Sequence, residues 1–159
     1  MMNLLEMKDD ALLQLWRNCM ESVRESKPTV GRARELLLQI NEIWKARLDA
    51  SKSGLYKADS PEIGVLKAVG YQVGASGLRA EMRRRLLDQV MTEVLPFVGS
   101  PAYMHEWGLA GSRERYRKLH RVLTIFRSGA QHDPRMEIAE QHWAEDLDYI
   151  EKTWQRKVR

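Results

Sequence analysis

Residues 60–127 read SPEIGVLKAVGYQVGASGLRAEMRRRLLDQVMTEVLPFVGSPAYMHEWGLAGSRERYRKLHRVLTIFR, and one device occurs in them twice. Ser-Pro opens a short apolar segment, a glycine closes it, a loop follows, and a longer arginine-rich segment comes next. Ser60-Pro61 starts the first copy and Ser100-Pro101 the second, with Gly70 and Gly108 as the closing glycines. A serine oxygen accepts from free N–H groups at a helix start, and proline suits the first helical position. Glycine ends helices because it enters the left-handed region without a Cβ clash. The longer segments carry apolar residues at three- and four-residue spacing: Leu78, Met82, Leu86, Leu87, Val90 and Met91 in one, Tyr116, Leu119, Val122, Leu123 and Phe126 in the other. That period is helical. The stretch therefore predicts helices over 61–69, 78–95, 101–107 and 113–128, with Pro96 and Ser128-Gly129 as stops for the longer two. Tyr71-Gln72-Val73 is the one alternating patch and is too short for a sheet.

Towards the N-terminus, Leu12, Leu15, Trp16, Cys19 and Val23 predict a helix over 9–25, with Asp9 or Asp10 as its cap. Ser26-Lys27-Pro28 breaks it. Thr29 reads as the cap of a second helix over 29–50, whose apolar face is Ala33, Leu36, Leu37, Ile40, Ile43, Trp44 and Leu48. So short a connection predicts an antiparallel pair with Trp16 and Trp44 between the helices. SKSGLYKADS at 51–60 reads as a linker. Towards the C-terminus, Asp133-Pro134 starts a helix over 134–155. Met136, Ala139, Trp143, Leu147, Ile150 and Trp154 give it a near-heptad stripe, read as a core face. The expected fold is all-α: an N-terminal helical hairpin (1–53), then a compact multi-helix bundle (60–159) built on the two Ser-Pro units, with one continuous domain as the alternative.

The 159 residues are 43% hydrophobic and 30% charged, the balance of a globular protein. No apolar run approaches the roughly 18 residues that span a bilayer, so no membrane partner is expected. MMNLLEMKDD has acids where a secretory signal has a basic region, and the single cysteine, Cys19, fits a reducing compartment. A cytoplasmic location is expected. The net charge of +4 permits an acidic partner without demanding one.

Catalytic patterns are missing. The four histidines (His105, His120, His132, His142) form no metal motif. His142 and Asp146 lie one turn apart, but in an acidic segment where such spacing is expected by chance. Gly70, Gly74 and Gly77 do not match a phosphate or dinucleotide loop and read as helix ends and a turn. Cys19 falls on an apolar face, as a structural thiol does. A non-enzymatic module without cofactor or metal is the resulting expectation.

GYQVG (70–74), LPF (95–97), SPAYMHEWG (100–108), SRERYRKL (112–119) and WAEDLDYIEKTW (143–154) together resemble an uncharacterised bacterial helical domain family. The resemblance covers roughly residues 60–155. It implies one helical unit there and brings no activity or site residue with it.

The basic residues point to a partner. Segment 113–128 carries Arg113, Arg115, Arg117, Lys118, Arg121 and Arg127 against one acid, Glu114. Arg113, Arg117 and Arg121 make one line away from the apolar face. Arginine grips phosphate through a planar fork of donors, so this line is a candidate DNA or RNA backbone track. Segments 101–107 and 113–128 have the proportions of a helix-turn-helix with Ser112, Arg113 and Arg117 at the front of its second helix. Lys118, Arg83 and Arg84 complete the candidate contact set. Acids of segment 134–155 would cancel the arginines if they lay beside them. Tyr103 and Trp107, one turn apart on a short helix, are candidate partner-binding residues if their rings are exposed, against a core role. A protein-interaction or regulatory adaptor module without nucleic-acid contact is the competing reading.

Overall fold

The computed structural model describes residues 2–50, 61 and 63–158. The expected linker and the Ser60 cap fall outside these. Among the described residues there are seven α-helices and no strand: α1 (Asp9–Arg24), α2 (Val30–Ala50), α3 (Val65–Ala68), α4 (Ala80–Thr92), α5 (Pro101–Glu106), α6 (Arg113–Ala130) and α7 (Glu137–Trp154). The all-α expectation holds. The chain divides into two compact units, Met1–Val69 with Val94–His105, and Gly70–Glu93 with Glu106–Arg159. This partition departs from the expected break between 53 and 60. Segments 63–69 and 94–105 belong with the N-terminal helices, and the unit boundary falls inside α5.

In the first unit α1 and α2 pack together. The Trp16 and Trp44 rings lie 6.0 Å apart and Arg47 Nη1 reaches Asp9 Oδ1 at 2.6 Å, so the pairing runs antiparallel. Leu12 and Ile40 are fully buried between the helices, and Cys19 is buried with its thiol pKa pushed up by burial. Arg47 also donates to the carbonyls of Leu5 and Met7, fastening the 3-10 turn Leu4–Glu6 to α2. The α1 cap is Lys8, not Asp9 or Asp10; both acids sit in the first turn, where they favour the positive helix end. The helix closes when Ser26 N–H donates to Val23 O and Lys27 N–H to Ser22 O, with Ser26 at φ +50°. This is the bond pair of a Schellman motif, with serine in the place glycine usually takes. Only Val65–Ala68 of the predicted 61–69 is α-helical, because Gly64 is extended and stands as its N-cap.

In the second unit α7 packs against both α4 and α6. Leu87, Val90, Met91, Leu119, Leu123 and Ile150 are fully buried. The stripe on α7 is therefore a core face. Ser112 Oγ accepts from Arg115 N–H at 3.1 Å and caps α6 as expected. Gly108 precedes it at φ +62°, where a Cβ would stand 2.7 Å from the Glu114 Cβ. Three boundaries differ from expectation. α4 ends at Thr92, short of Pro96, because Glu93 is already extended. α6 runs through Ser128-Gly129 to Ala130, whose burial extends its inner face by another turn, and the left-handed residue is His132 at φ +71°. Asp133-Pro134 opens a 3-10 turn, Pro134–Met136, with Asp133 accepting from Arg135 N–H; the α-helix begins only at Glu137.

Candidate nucleic-acid interface

Helix α6 sorts its basic residues by face. Arg115, Tyr116, Leu119 and Leu123 are buried, whereas Arg113, Arg117 and Arg121 are exposed on the opposite side. At 1.5 Å rise per residue the three guanidinium groups leave the helix about 6 Å apart, over about 12 Å in all. None of the three makes an ion pair among the described residues. Five acids of α7 have other partners: Glu140 pairs with Arg127 at 2.8 Å, Glu151 with His120 at 2.8 Å, Asp148 with Lys152 at 2.8 Å, and Glu145 and Asp146 with Arg83 at 3.0 and 2.9 Å. Among the described residues, no acid is paired with the exposed line.

Arg115 does the opposite. It is 4% exposed, and its guanidinium donates to four carbonyls: Val90 at 2.5 Å, Glu93 at 2.9 Å, Trp107 at 3.0 Å and Gly108 at 3.0 Å. The last carbonyls of a helix lack intrahelical donors and carry partial negative charge. Val90 lies in the last turn of α4, and Arg115 serves that end. Burial lowers its pKa to about 10, which leaves the cation in place at neutral pH.

Arg83 is not available to a partner, contrary to its place in the candidate contact set. It is 2% exposed, with Nε donating to Asp146 Oδ2 at 2.9 Å, Nη2 to Glu145 Oε2 at 3.0 Å and Nη1 to Leu78 O at 2.8 Å. Tyr71 Oη donates to the same Asp146 oxygen at 2.6 Å. Burial drives the Tyr71 hydroxyl pKa far above its ordinary range, with the Asp146 charge adding to the rise. Next to this cluster, Gly74 N–H donates to His142 Nδ1 at 3.1 Å. His142 and Asp146 thus hold scaffold contacts on α7.

The remaining candidates divide. Lys118 is mostly buried and pairs with Glu106 at 2.6 Å, its Nζ 5.9 Å from the Trp107 ring centroid. Ser112 is committed to capping and donates its own proton to Leu109 O at 2.6 Å. Arg84 is exposed on α4, its guanidinium 5.2 Å from the Tyr149 ring centroid. Tyr103 and Trp107 are both buried, at 9% and 1% exposure, so the exposed aromatic pair does not exist; each ring serves core packing. The structure thus brings Arg113, Arg117 and Arg121 together and takes Arg83, Tyr103 and Trp107 out of the surface.

A polar cleft of about 390 Å³, which the sequence reading missed, opens beside this line. Tyr116, Arg117 and His120 of α6 line it with Glu151 and Gln155 from the C-terminal end of α7. The Tyr116 and His120 rings lie 5.7 Å apart, tilted by 42°. Burial, and secondarily the Glu151 charge, raise the Tyr116 hydroxyl pKa. Its sequence signal was present: His120 and Glu151 each flank a buried stripe position, Leu119 and Ile150, on two helices that pack together. Comparison of the chain with protein-family models, curated proteins and solved structures finds no match. No described helix is long and apolar enough to cross a membrane.

Proposed function

We propose that this protein is a non-enzymatic helical module whose second unit contacts the phosphate backbone of nucleic acid through Arg113, Arg117 and Arg121. The observation that carries this reading is the exposed arginine line on α6, which has no ion pair among the described residues, on a helix whose other cations are engaged within the fold. Three exposed cations in a row suit a repeating anion. Affinity is then set by charge, with little sequence preference from the line itself. In the helix-turn-helix form of this reading, α6 lies along a groove with Arg113 at its leading end. A cytoplasmic setting goes with it.

A second reading, a protein-interaction adaptor, draws on the first unit. Met2, Leu5 and Leu38 are exposed there and border a groove with Leu4 and Ile43. Apolar surface of that kind favours a protein partner. Binding of labelled duplex and single-stranded oligonucleotides, by the parent and by the triple substitution Arg113→Ala, Arg117→Ala, Arg121→Ala, separates the two. The nucleic-acid reading expects binding by the parent at low salt and its loss in the triple variant. Absence of binding by either protein would leave the adaptor reading.

A further inference from the structure

We infer that the cleft between α6 and α7 receives an unpaired nucleobase carrying an exocyclic amine, while the neighbouring arginine line holds that strand's phosphates. The inference rests on the phosphate-track reading of the line and adds what the adjoining site selects. Arg117 belongs to both features: it is the middle residue of the line and a wall of the cleft. A strand following the line therefore passes the cleft mouth.

The chemistry inside differs from that of the line. Glu151 Oε1 is 2.8 Å from His120 Nε2, so this ring nitrogen donates to the carboxylate. The second Glu151 oxygen has no partner among the described residues, and the side chain is 46% exposed. A bare phosphate offers only acceptors, so a carboxylate in the wall repels it. A base edge offers donors and acceptors together. Glu151 matches an exocyclic amine, as a carboxylate does for the N4 amine of cytosine, and the Gln155 amide can both donate and accept. The His120 ring, backed by the buried Tyr116 ring, and the exposed Arg117 plane supply surfaces of the kind on which unpaired bases stack. At about 390 Å³ the cleft falls within the range of small-ligand pockets, roughly 300–1,000 Å³. Thymine and uracil carry a carbonyl where cytosine carries its amine, and would set that oxygen against Glu151.

The test is fluorescence anisotropy with oligonucleotides of cytosine or of thymine (uracil for RNA), about 12 nucleotides long. DNA and RNA series separate the two possible sources of the strand. The parent is expected to bind the cytosine oligomer at least about fivefold tighter than its thymine or uracil counterpart in one or both series, the discrimination of one good base-edge contact. Glu151→Gln, checked for folding by its melting curve, is expected to abolish that preference. Glu140→Gln, which breaks the Arg127 pair outside the cleft, is expected to keep it. Equal binding of the two bases by the parent in both series, or a preference that survives Glu151→Gln, would overturn the cleft inference with the arginine line intact. Binding of no oligonucleotide at all would overturn both.

Discussion

The two units hold themselves together by different means. The first packs helices of 16 and 21 residues along apolar faces, with Leu12, Trp16, Ile40 and Trp44 buried. Its polar clamp, Arg47 with Asp9, stays at the surface edge. The second buries all three of the buried charged side chains among the described residues, Arg83, Arg115 and Asp146. The cause is local. Around α4 and α6 the chain turns inside the packed region, and the carbonyls of Val90, Glu93, Trp107 and Gly108 lie away from helical donors. Buried carbonyls need a partner, and one arginine brings five N–H groups. A basic residue in the second unit is thus either part of the scaffold or part of the surface, and net charge alone does not distinguish the two.

The sharpest way to test the contrast is Asp146→Ala. It strips Arg83 and Tyr71 of their shared buried acceptor and should destabilise the protein by about 3 kcal/mol in denaturant unfolding, since the buried guanidinium then keeps only the half-exposed Glu145 as its counter-charge. Replacing both charges, Arg83→Met with Asp146→Leu, should cost less than Asp146→Ala alone. In the first unit Leu12→Ala should cost about 3 kcal/mol through a lost apolar contact and a cavity, with no such rescue by a partner substitution.

A pH titration sharpens the comparison further. Tyr71 keeps its proton in the native state well above 10.0, its ordinary value, whereas the unfolded chain loses that proton near 10. Above that pH the unfolded state binds fewer protons than the native state, so stability falls as pH rises. Tyr71→Phe should remove part of that alkaline slope in unfolding measured from pH 9 upward, while leaving acid behaviour to the carboxylates. The smallest expected effect is in the first unit. Ser26→Gly relieves a left-handed serine at the end of α1 and should raise stability by about 0.5–1 kcal/mol, read as a shift in the thermal midpoint.

The helices and the core were legible in the sequence because periodicity reports burial directly. Trp16, Trp44, Leu86, Val90, Leu119, Leu123, Trp143, Leu147 and Ile150 all lie on predicted apolar faces and all are buried. The roles of the charged residues were less legible, because a long cation can occupy an inward position and still be taken for surface. The signal was nevertheless there. Arg83 stands four and eight residues before Leu87 and Met91, Arg115 the same distances before Leu119 and Leu123, and Asp146 lies between Trp143 and Ile150. A charge in register with an apolar stripe enters the core when carbonyls or a counter-charge await it. For Tyr103 and Trp107 the sequence left a core role and a partner-binding role both open, because a helix as short as α5 shows too few positions to reveal which side is covered; both rings are buried. The Arg113, Arg117 and Arg121 line was readable because it falls out of register with every buried position of α6.

That outward line is tested most directly by the salt dependence of single-stranded oligonucleotide binding, compared between the parent and the triple alanine variant. Each phosphate neutralised on a single strand contributes about 0.7 to the slope of log affinity against log salt. The parent should show a steep slope, and the variant one shallower by about 2, with an unfolding free energy within about 0.5 kcal/mol of the parent. Identical slopes for the two proteins would place the ionic contacts elsewhere and contradict the assignment of Arg113, Arg117 and Arg121 to the partner.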